Sequence, residues 1–261
     1  MDELKITLLQ VPIAWENKEE NLRFFSAKIA AIEAPTDLIL LPEMFSTGFS
    51  MNSALLAETM EGATVNWMKE QAAKKSCVLC GSLIIEENSA YYNRLIWMYP
   101  DGSFEVYNKR HLFRMAKENE HYTEGNKKLI VEFKGWKICL LVCYDLRFPV
   151  WSRRTSNENY DVLVYVANWP ERRIYAWKSV LVARAIENQA YVVGLNRIGK
   201  DGNNIEYSGD SIVLNFLGER LTNSPTDAES SETVVLTKSK LTDFRNSFPA
   251  EMDADNFSIH I

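Results

Sequence analysis

Residues 137–149 read Lys-Ile-Cys-Leu-Leu-Val-Cys-Tyr-Asp-Leu-Arg-Phe-Pro, and they restrict the fold more than any other stretch. They open as an unbroken run of apolar and β-branched residues, the pattern of a strand buried on both faces. Such a strand needs cover on both sides, which points to a layered α/β architecture. The run ends by placing one thiol, Cys143, where polar residues take over. A reactive group at the carboxyl end of a buried strand has a rigid support beside a loop that can shape a pocket. The N–H of Tyr144 is then free to point at whatever the sulfur attacks, as in a nucleophile elbow, although the Gly-x-Ser-x-Gly form is absent. The plain alternative is an inert cysteine closing a core strand.

The rest of the chain repeats the apolar-run theme. Strands are predicted at Leu4–Ile13, Asp37–Leu41, Cys77–Ile85, Asp161–Ala167, Tyr191–Leu195, Ser211–Phe216 and Thr233–Leu236. Arg94–Tyr99 and Phe104–Tyr107 flank Pro100-Asp-Gly-Ser103 as a hairpin, and Leu129–Phe133 pairs with Trp136–Val142 across Lys134-Gly135. Amphipathic helices are predicted over Asn17–Ala34, stopped by Pro35, over Thr64–Lys75 and over Ile174–Gln189. In the last of these, Trp177, Val180, Leu181, Ala185 and Ile186 are expected on the inner face. Lys109–Gly125 reads as irregular, Asp201-Gly-Asn203 as a separator, and the tail 221–261 as mostly loop with a short helix. Without repeats or a Gly/Ser linker, residues 1–261 are expected to form a single domain. Strands alternating with helices, interrupted by hairpins, require mixed sheets with helices outside; periodicity alone does not separate two stacked sheets from one open sheet.

Composition excludes several function classes. A net charge of -6 and a pI of about 5.3, with basic residues scattered in pairs, leave no nucleic-acid footprint. No apolar run is long enough to span a bilayer, and the start Met-Asp-Glu-Leu-Lys lacks the pattern of a signal peptide. Four cysteines do not make a disulfide scaffold in a chain of this size, so a reducing cytoplasm is expected. Cys77-Val-Leu-Cys80 has the look of a zinc half-site, but its odd spacing in a strand sends the two thiols to opposite faces. Gly199-Lys-Asp-Gly202 lacks the spacing of a phosphate-cradling loop.

Two more strand ends carry chemistry. Glu43 follows the apolar run Leu38–Leu41 just past Pro42, where a carboxylate is costly unless paired or used. Lys109 closes the strand Phe104–Asn108. Each alone is a rim salt bridge or a solvated lysine; together with Cys143 they form a carboxylate, an ammonium and a thiol, all at strand ends. Leu41-Pro-Glu-Met-Phe45, Asn108-Lys-Arg-His-Leu-Phe113 and Cys143-Tyr-Asp-Leu-Arg-Phe-Pro149 resemble the three signature segments of the nitrilase superfamily, in that family's order. The resemblance extends to Ala167-Asn-Trp-Pro170 and Ala183–Gln189, covers nearly the whole chain, and is strongest to the omega-amidase branch.

The resemblance implies a four-layer α-β-β-α sandwich of two mixed sheets and a homodimer or larger assembly. It also implies no cofactor and no metal, and a small-molecule amide as partner, with neither nucleic acid nor membrane. Cys143 would be the nucleophile, Glu43 the general base and Lys109 the electrostatic partner. Glu118 would be the second glutamate, with Glu120 close behind. The chemistry agrees with those roles. A thiolate is the attacking species, a nearby ammonium lowers a thiol's pKa, and Glu43 can take the proton and return one to the leaving ammonia. Lys109 and the Tyr144 N–H would receive the oxyanion.

A substrate of the omega-amidase kind, a 2-oxo acid amide, carries a carboxylate and needs a fixed cation. Arg147, Arg172 and Arg173 are the candidates, because a guanidinium holds a carboxylate through two parallel bonds, and Trp169 is placed with them as a substrate-binding residue. Carbamoyl amino acids, nitriles and other aliphatic amides are the alternatives within the superfamily. Outside it stand a Cys143–His111 dyad, without the papain-type Cys-Gly-Ser-Cys-Trp signature, and a non-catalytic binding protein.

Overall fold

The computed structural model describes residues 1–255 and 257–259. In chain order the first strands are β1 (Glu3–Gln10), β2 (Leu38–Leu40), β3 (Val78–Glu87), β4 (Ala90–Met98) and β5 (Phe104–Asn108). Next come β6 (Leu129–Phe133), β7 (Trp136–Val142), β8 (Val162–Ala167) and β9 (Tyr191–Asn196). The last are β10 (Ile198–Lys200), β11 (Glu206–Ser208), β12 (Ile212–Leu214) and β13 (Ser230–Thr237). One sheet runs β13-β1-β2-β3-β4-β5, the other β12-β9-β8-β7-β6, and β10 with β11 forms a separate hairpin. Both large sheets are mixed: β1-β2-β3 and β7-β8-β9 are parallel, and their outer strands pair antiparallel.

The period-2 alternation of the first sheet divides its side chains between two cores. Leu38, Leu40, Leu95 and Trp97 point to the core shared with β7, β8 and β9. Ile39, Leu79, Ile96 and Met98 point the other way, where they meet helices α1 (Lys18–Ala30) and α3 (Ala63–Lys75). Between these two helices lies the single turn α2 (Ser53–Leu56). Cys80 and Cys77 follow the same rule and lie in different cores, so they do not form a half-site.

Short turns α4 (Glu118–His121) and α5 (Pro149–Ser152) precede the long helix α6 (Ile174–Asn188), and α7 (Lys238–Ser247) follows β13. Helix α6 lays Trp177, Leu181 and Ala185 on the second sheet. It approaches so closely that a Cβ on Gly194 of β9 would stand 2.6 Å from Leu181 and 2.8 Å from Trp177. Ile186, expected inward, is instead 52% exposed. Counted at 100° per residue from Trp177, Leu181, Arg184 and Ala185 fall within about 80° of it while Ile186 falls about 180° away, so Arg184 is turned inward and donates to the Leu146 carbonyl at 2.7 Å. The layers are therefore helix, sheet, sheet, helix, a four-layer α-β-β-α sandwich. Fully burying side chains of Leu to Phe size contributes about 1.5–3 kcal/mol each, and this double core contains dozens.

Two local differences from the sequence reading matter. Helix α1 ends at Ala30, with Ala31 as its C-cap, short of the Ala34 expected from the sequence; Pro35 restricts only Ala34 directly, so it does not set this end. The Asp201 separator is in truth the turn of the β10–β11 hairpin, whose short polar strands carry no apolar signature. Among the described residues no helix is long and apolar enough to cross a membrane.

Candidate active site

Residues that follow β2, β5, β7 and β8 converge. Past β2 the chain turns at Met44, whose φ of 44° is left-handed and whose N–H is held by Ser82 Oγ at 2.9 Å. That turn delivers Glu43 into the interior with no exposed surface. Lys109, 1% exposed, leaves β5 with its N–H on the Asn93 carbonyl at 3.0 Å. Lys109 Nζ lies 2.9 Å from Glu43 Oε1, 2.9 Å from Glu118 Oε1 and 3.0 Å from Glu118 Oε2. Glu118 is fully buried at the start of α4 and also accepts the Phe113 N–H at 2.5 Å. Glu120 is exposed and lies 3.7 Å from Lys117 Nζ, away from the cluster. Of the two candidate glutamates, Glu118 is the one brought to Lys109.

Asn93 and Asn168 complete the arrangement. The Asn93 side-chain NH2 donates to Glu43 Oε1 at 2.8 Å and to Glu118 Oε1 at 3.2 Å. The Asn168 backbone N–H donates to Glu43 Oε2 at 2.9 Å, and its side chain to the Glu43 carbonyl at 2.6 Å. Cys143 Sγ faces the Asn168 carbonyl at 3.8 Å.

Cys143 directly follows β7 with φ of 44°, a left-handed backbone that a non-glycine residue adopts at a cost of about 1–3 kcal/mol. A 3-10 turn, Cys143–Arg147, starts there. The first N–H groups of any such turn lack partners within it, which leaves the Tyr144 N–H available beside the sulfur. Asp145 holds the turn. Its carboxylate accepts from the Val142 N–H at 3.0 Å, Tyr107 OH at 2.8 Å and the His111 N–H at 3.0 Å, with His111 Nδ1 at 2.8 Å. The His111 ring stacks on Phe148 at 3.7 Å and lines a neighbouring cavity rather than the one containing Cys143. That geometry removes the Cys143–His111 dyad.

The electrostatics depart from one expectation. Burial works against the Lys109 ammonium, but the Glu118 and Glu43 carboxylates outweigh it and hold its pKa above the ordinary value. Burial raises Glu118, Lys109 pulls it back, and the Glu43 charge adds to the rise. The Cys143 thiol was expected to be lowered by the ammonium. Burial and the Glu43 charge instead carry it well above its ordinary value, against the downward pull of Lys109. At rest the sulfur keeps its proton, so attack needs a base that removes it.

Cys143 and Lys109 open onto a cavity of about 580 Å3, the size of a small-molecule site. Arg147, Arg172 and Arg173 all line it, and none has a carboxylate partner among the described residues. The alternative pairings of Arg147 are closed off, since Asp145 is engaged by His111 and Glu43 by Lys109. Arg147 instead lies over the Trp169 ring at 5.0 Å, and the Trp169 indole N–H donates to the Arg173 carbonyl at 2.9 Å. Arg173 lies 5.0 Å over Phe113; burial, then Arg172, lower its pKa slightly while it stays cationic. The opposite wall is the β10–β11 hairpin. There Asp201 accepts the N–H groups of Asn203 at 2.8 Å and Ile205 at 3.0 Å, and Tyr207 OH at 2.9 Å. Among the described residues no group of three His, Cys, Asp or Glu side chains is placed to hold a metal ion.

The sequence reading missed Asn93, Asn168 and Tyr207. Asn93 had a signal: it occupies the inward register of β4, two and four residues before Leu95 and Trp97, where a polar residue is buried only if it is paired. Tyr207 had none, because its hairpin was not recognised.

A two-sheet sandwich with a buried carboxylate–lysine–carboxylate cluster against a strand-end thiol is the layout of a carbon–nitrogen hydrolase. Residues 5–245 match the carbon-nitrogen hydrolase family, and the chain belongs to it. Omega-amidase YafV of Escherichia coli strain K12 is 45% identical over 259 residues, which cover 99% of this chain and 100% of that one. A 2-oxoglutaramate amidase of Bacillus subtilis strain 168 is 33% identical over 83% of this chain and 84% of its own length. The crystal structure of XC1258 from Xanthomonas campestris, a CN-hydrolase superfamily protein with an arsenic adduct in its active site, matches with a TM-score of 0.97. It is 41% identical, and the match covers 100% of both chains.

Proposed function

We propose that the protein is an omega-amidase that hydrolyses the side-chain amide of a small 2-oxo acid amide such as 2-oxoglutaramate, releasing ammonia and the acid. One observation carries the chemistry: Glu43, Lys109 and Glu118 are sealed together against Cys143 at the floor of a cavity lined by three arginines that have no carboxylate partner among the described residues. Glu43 takes the thiol proton as sulfur attacks the amide carbon. The oxyanion is received by Lys109 and the Tyr144 N–H, and such a donor typically contributes ~10²–10³-fold in rate. The adduct collapses as the C–N bond breaks; the nitrogen leaves as ammonia with the proton Glu43 returns, and a Cys143 thioester remains. Water, deprotonated by Glu43, then cleaves the thioester to the acid and restores the thiol. Glu118 holds Lys109 in place throughout.

The arginines favour a substrate whose far end is a carboxylate, and the names of the two amidase relatives agree with that choice. Working as one carbon–nitrogen hydrolase domain over 1–261, the chain fits a reducing cytoplasm, since its four cysteines are all free and buried. The exposed Tyr175 and Ile186 on α6, with Leu217 exposed on the turn after β12, fit a homodimer or larger homo-oligomer through the outer helical layer. The substrate reading is tested by ammonia release from a panel of 2-oxoglutaramate, carbamoyl amino acids, nitriles and uncharged aliphatic amides. Highest kcat/KM on 2-oxoglutaramate is the expected result. A preference for nitriles or carbamoyl amino acids overturns the substrate assignment.

A further inference from the structure

A count of acceptor positions isolates one residue to which no role has been given. An ionised carboxylate has about four lone-pair positions, two on each oxygen. Glu118 has all four met by donors: Lys109 and Asn93 on Oε1, Lys109 and the Phe113 N–H on Oε2. Glu43 has three met: Lys109 and Asn93 on Oε1, and the Asn168 N–H on Oε2. The open position is on Oε2, and the Glu43 carboxylate is a hydrogen-bond partner of the Cys143 thiol.

We infer that Asn93 is a positioning residue: its side-chain NH2 ties the two carboxylates together beside Lys109 and leaves Glu43 one open acceptor position to take the Cys143 proton. Glu43 Oε1, Lys109 Nζ, Glu118 Oε1 and Asn93 Nδ2 form a closed ring of alternating acceptors and donors. The ring is built on backbone pairing, since the Lys109 N–H donates to the Asn93 carbonyl and places the two side chains on neighbouring strands. The orientation of the amide is forced, because both neighbours are acceptors and only NH2 satisfies them. In that orientation Asn93 Oδ1 is buried without a partner among the described residues, a cost tolerated to keep the donors on the carboxylates. Asn93 does not line the substrate cavity, so it acts through Glu43 and Glu118.

The inference rests on the reading of Glu43 as the base for Cys143. Donors on a carboxylate favour its charged form, and removing them raises its affinity for a proton. The charged and titratable groups facing it are Lys109, Cys143 and Tyr122, with Arg173 and Tyr207 beyond the thiol. None of them replaces the two bonds that Asn93 makes. Loss of Asn93 therefore moves the acid side of the Cys143 reaction to higher pH.

The test is the rate of Cys143 alkylation by iodoacetamide against pH, read by peptide mass, in the unaltered protein, Asn93→Leu and Asn93→Ala. Steady-state kinetics on the preferred amide accompany it. The expected result is an acid limb in the unaltered protein that moves up by about one pH unit in the variants. That is about a tenfold slower alkylation at a pH on the limb, with kcat lowered and KM unchanged. A limb that stays in place in the variants overturns the role of Asn93 and leaves Glu43 as base. An unaltered protein with no acid limb overturns the base assignment, and this inference with it. A third readout needs no variant: in asparagine-15N-labelled protein, the Asn93 side-chain resonance should titrate with the midpoint of the alkylation limb. A resonance flat across that midpoint also overturns the inference.

Discussion

The two ends of the cavity treat charge in opposite ways. At its floor Glu43, Lys109 and Glu118 have no exposed side-chain surface, and almost every polar atom is engaged by another within 3.2 Å. At its mouth Arg147 and Arg172 are exposed and Arg173 is half-buried; Arg147 lies over the Trp169 ring and Arg173 over Phe113, and none of the three meets a carboxylate among the described residues. The floor is organised before any substrate arrives, which is what stabilising a developing charge requires. The mouth keeps three cations without counter-ions, an arrangement suited to an incoming anion. Under the proposed function, chemistry and selectivity lie on different elements, and substitutions can separate them.

The largest effect is expected at the thiol. Cys143→Ser is nearly isosteric and should keep the thermal midpoint, while ammonia release falls to background. Retention of more than a trace of activity would mean that the floor does not work through sulfur. Lys109→Met should come next, and should be costly in two ways. It leaves two buried carboxylates without their cation, which typically costs about 3–5 kcal/mol, read as a lower midpoint in denaturant. It also removes an oxyanion donor, for a further ~10²–10³-fold in kcat. At the mouth, replacing exposed Arg172 and half-buried Arg173 together by Gln should cost about 1 kcal/mol of stability or less, the weight of the Arg173–Phe113 contact. KM for 2-oxoglutaramate should rise roughly ten- to a hundredfold, the weight of a charged hydrogen bond, with a small uncharged amide unaffected. If both substrates weaken equally, the contrast between floor and mouth fails.

How much of this was legible in the chain follows the same division. Apolar runs ending in Glu43, Lys109 and Cys143 are visible because a buried strand announces itself by composition, and a charge at its end is conspicuous. Glu118 was preferred to Glu120 from the resemblance, but two glutamates on one turn of helix stayed close competitors until the fold placed Glu118 on Lys109 and Glu120 by Lys117. Asn93 was readable in principle from its inward register between apolar positions. The Asp145 carboxylate, which joins the turn at Cys143 to the loop after Lys109, was not, because its partners lie 34 and 38 residues away. The β10–β11 hairpin has strands of three residues each, too short for an alternation to show. Ile186 was misplaced because it is apolar and follows Ala185, although it falls on the side of α6 away from Trp177 and Leu181, while the charged Arg184 is the one buried with them.

The central claim is that Cys143 is acylated during turnover. Acid quenching of the protein in the steady state with 2-oxoglutaramate, followed by peptide mass analysis, tests it directly. The account predicts that the peptide containing Cys143 gains the mass of the substrate less ammonia, with the other three cysteines unmodified and no such species in Cys143→Ser. Steady ammonia release that persists in Cys143→Ser, with the Cys143 peptide unmodified in the unaltered protein, would contradict it.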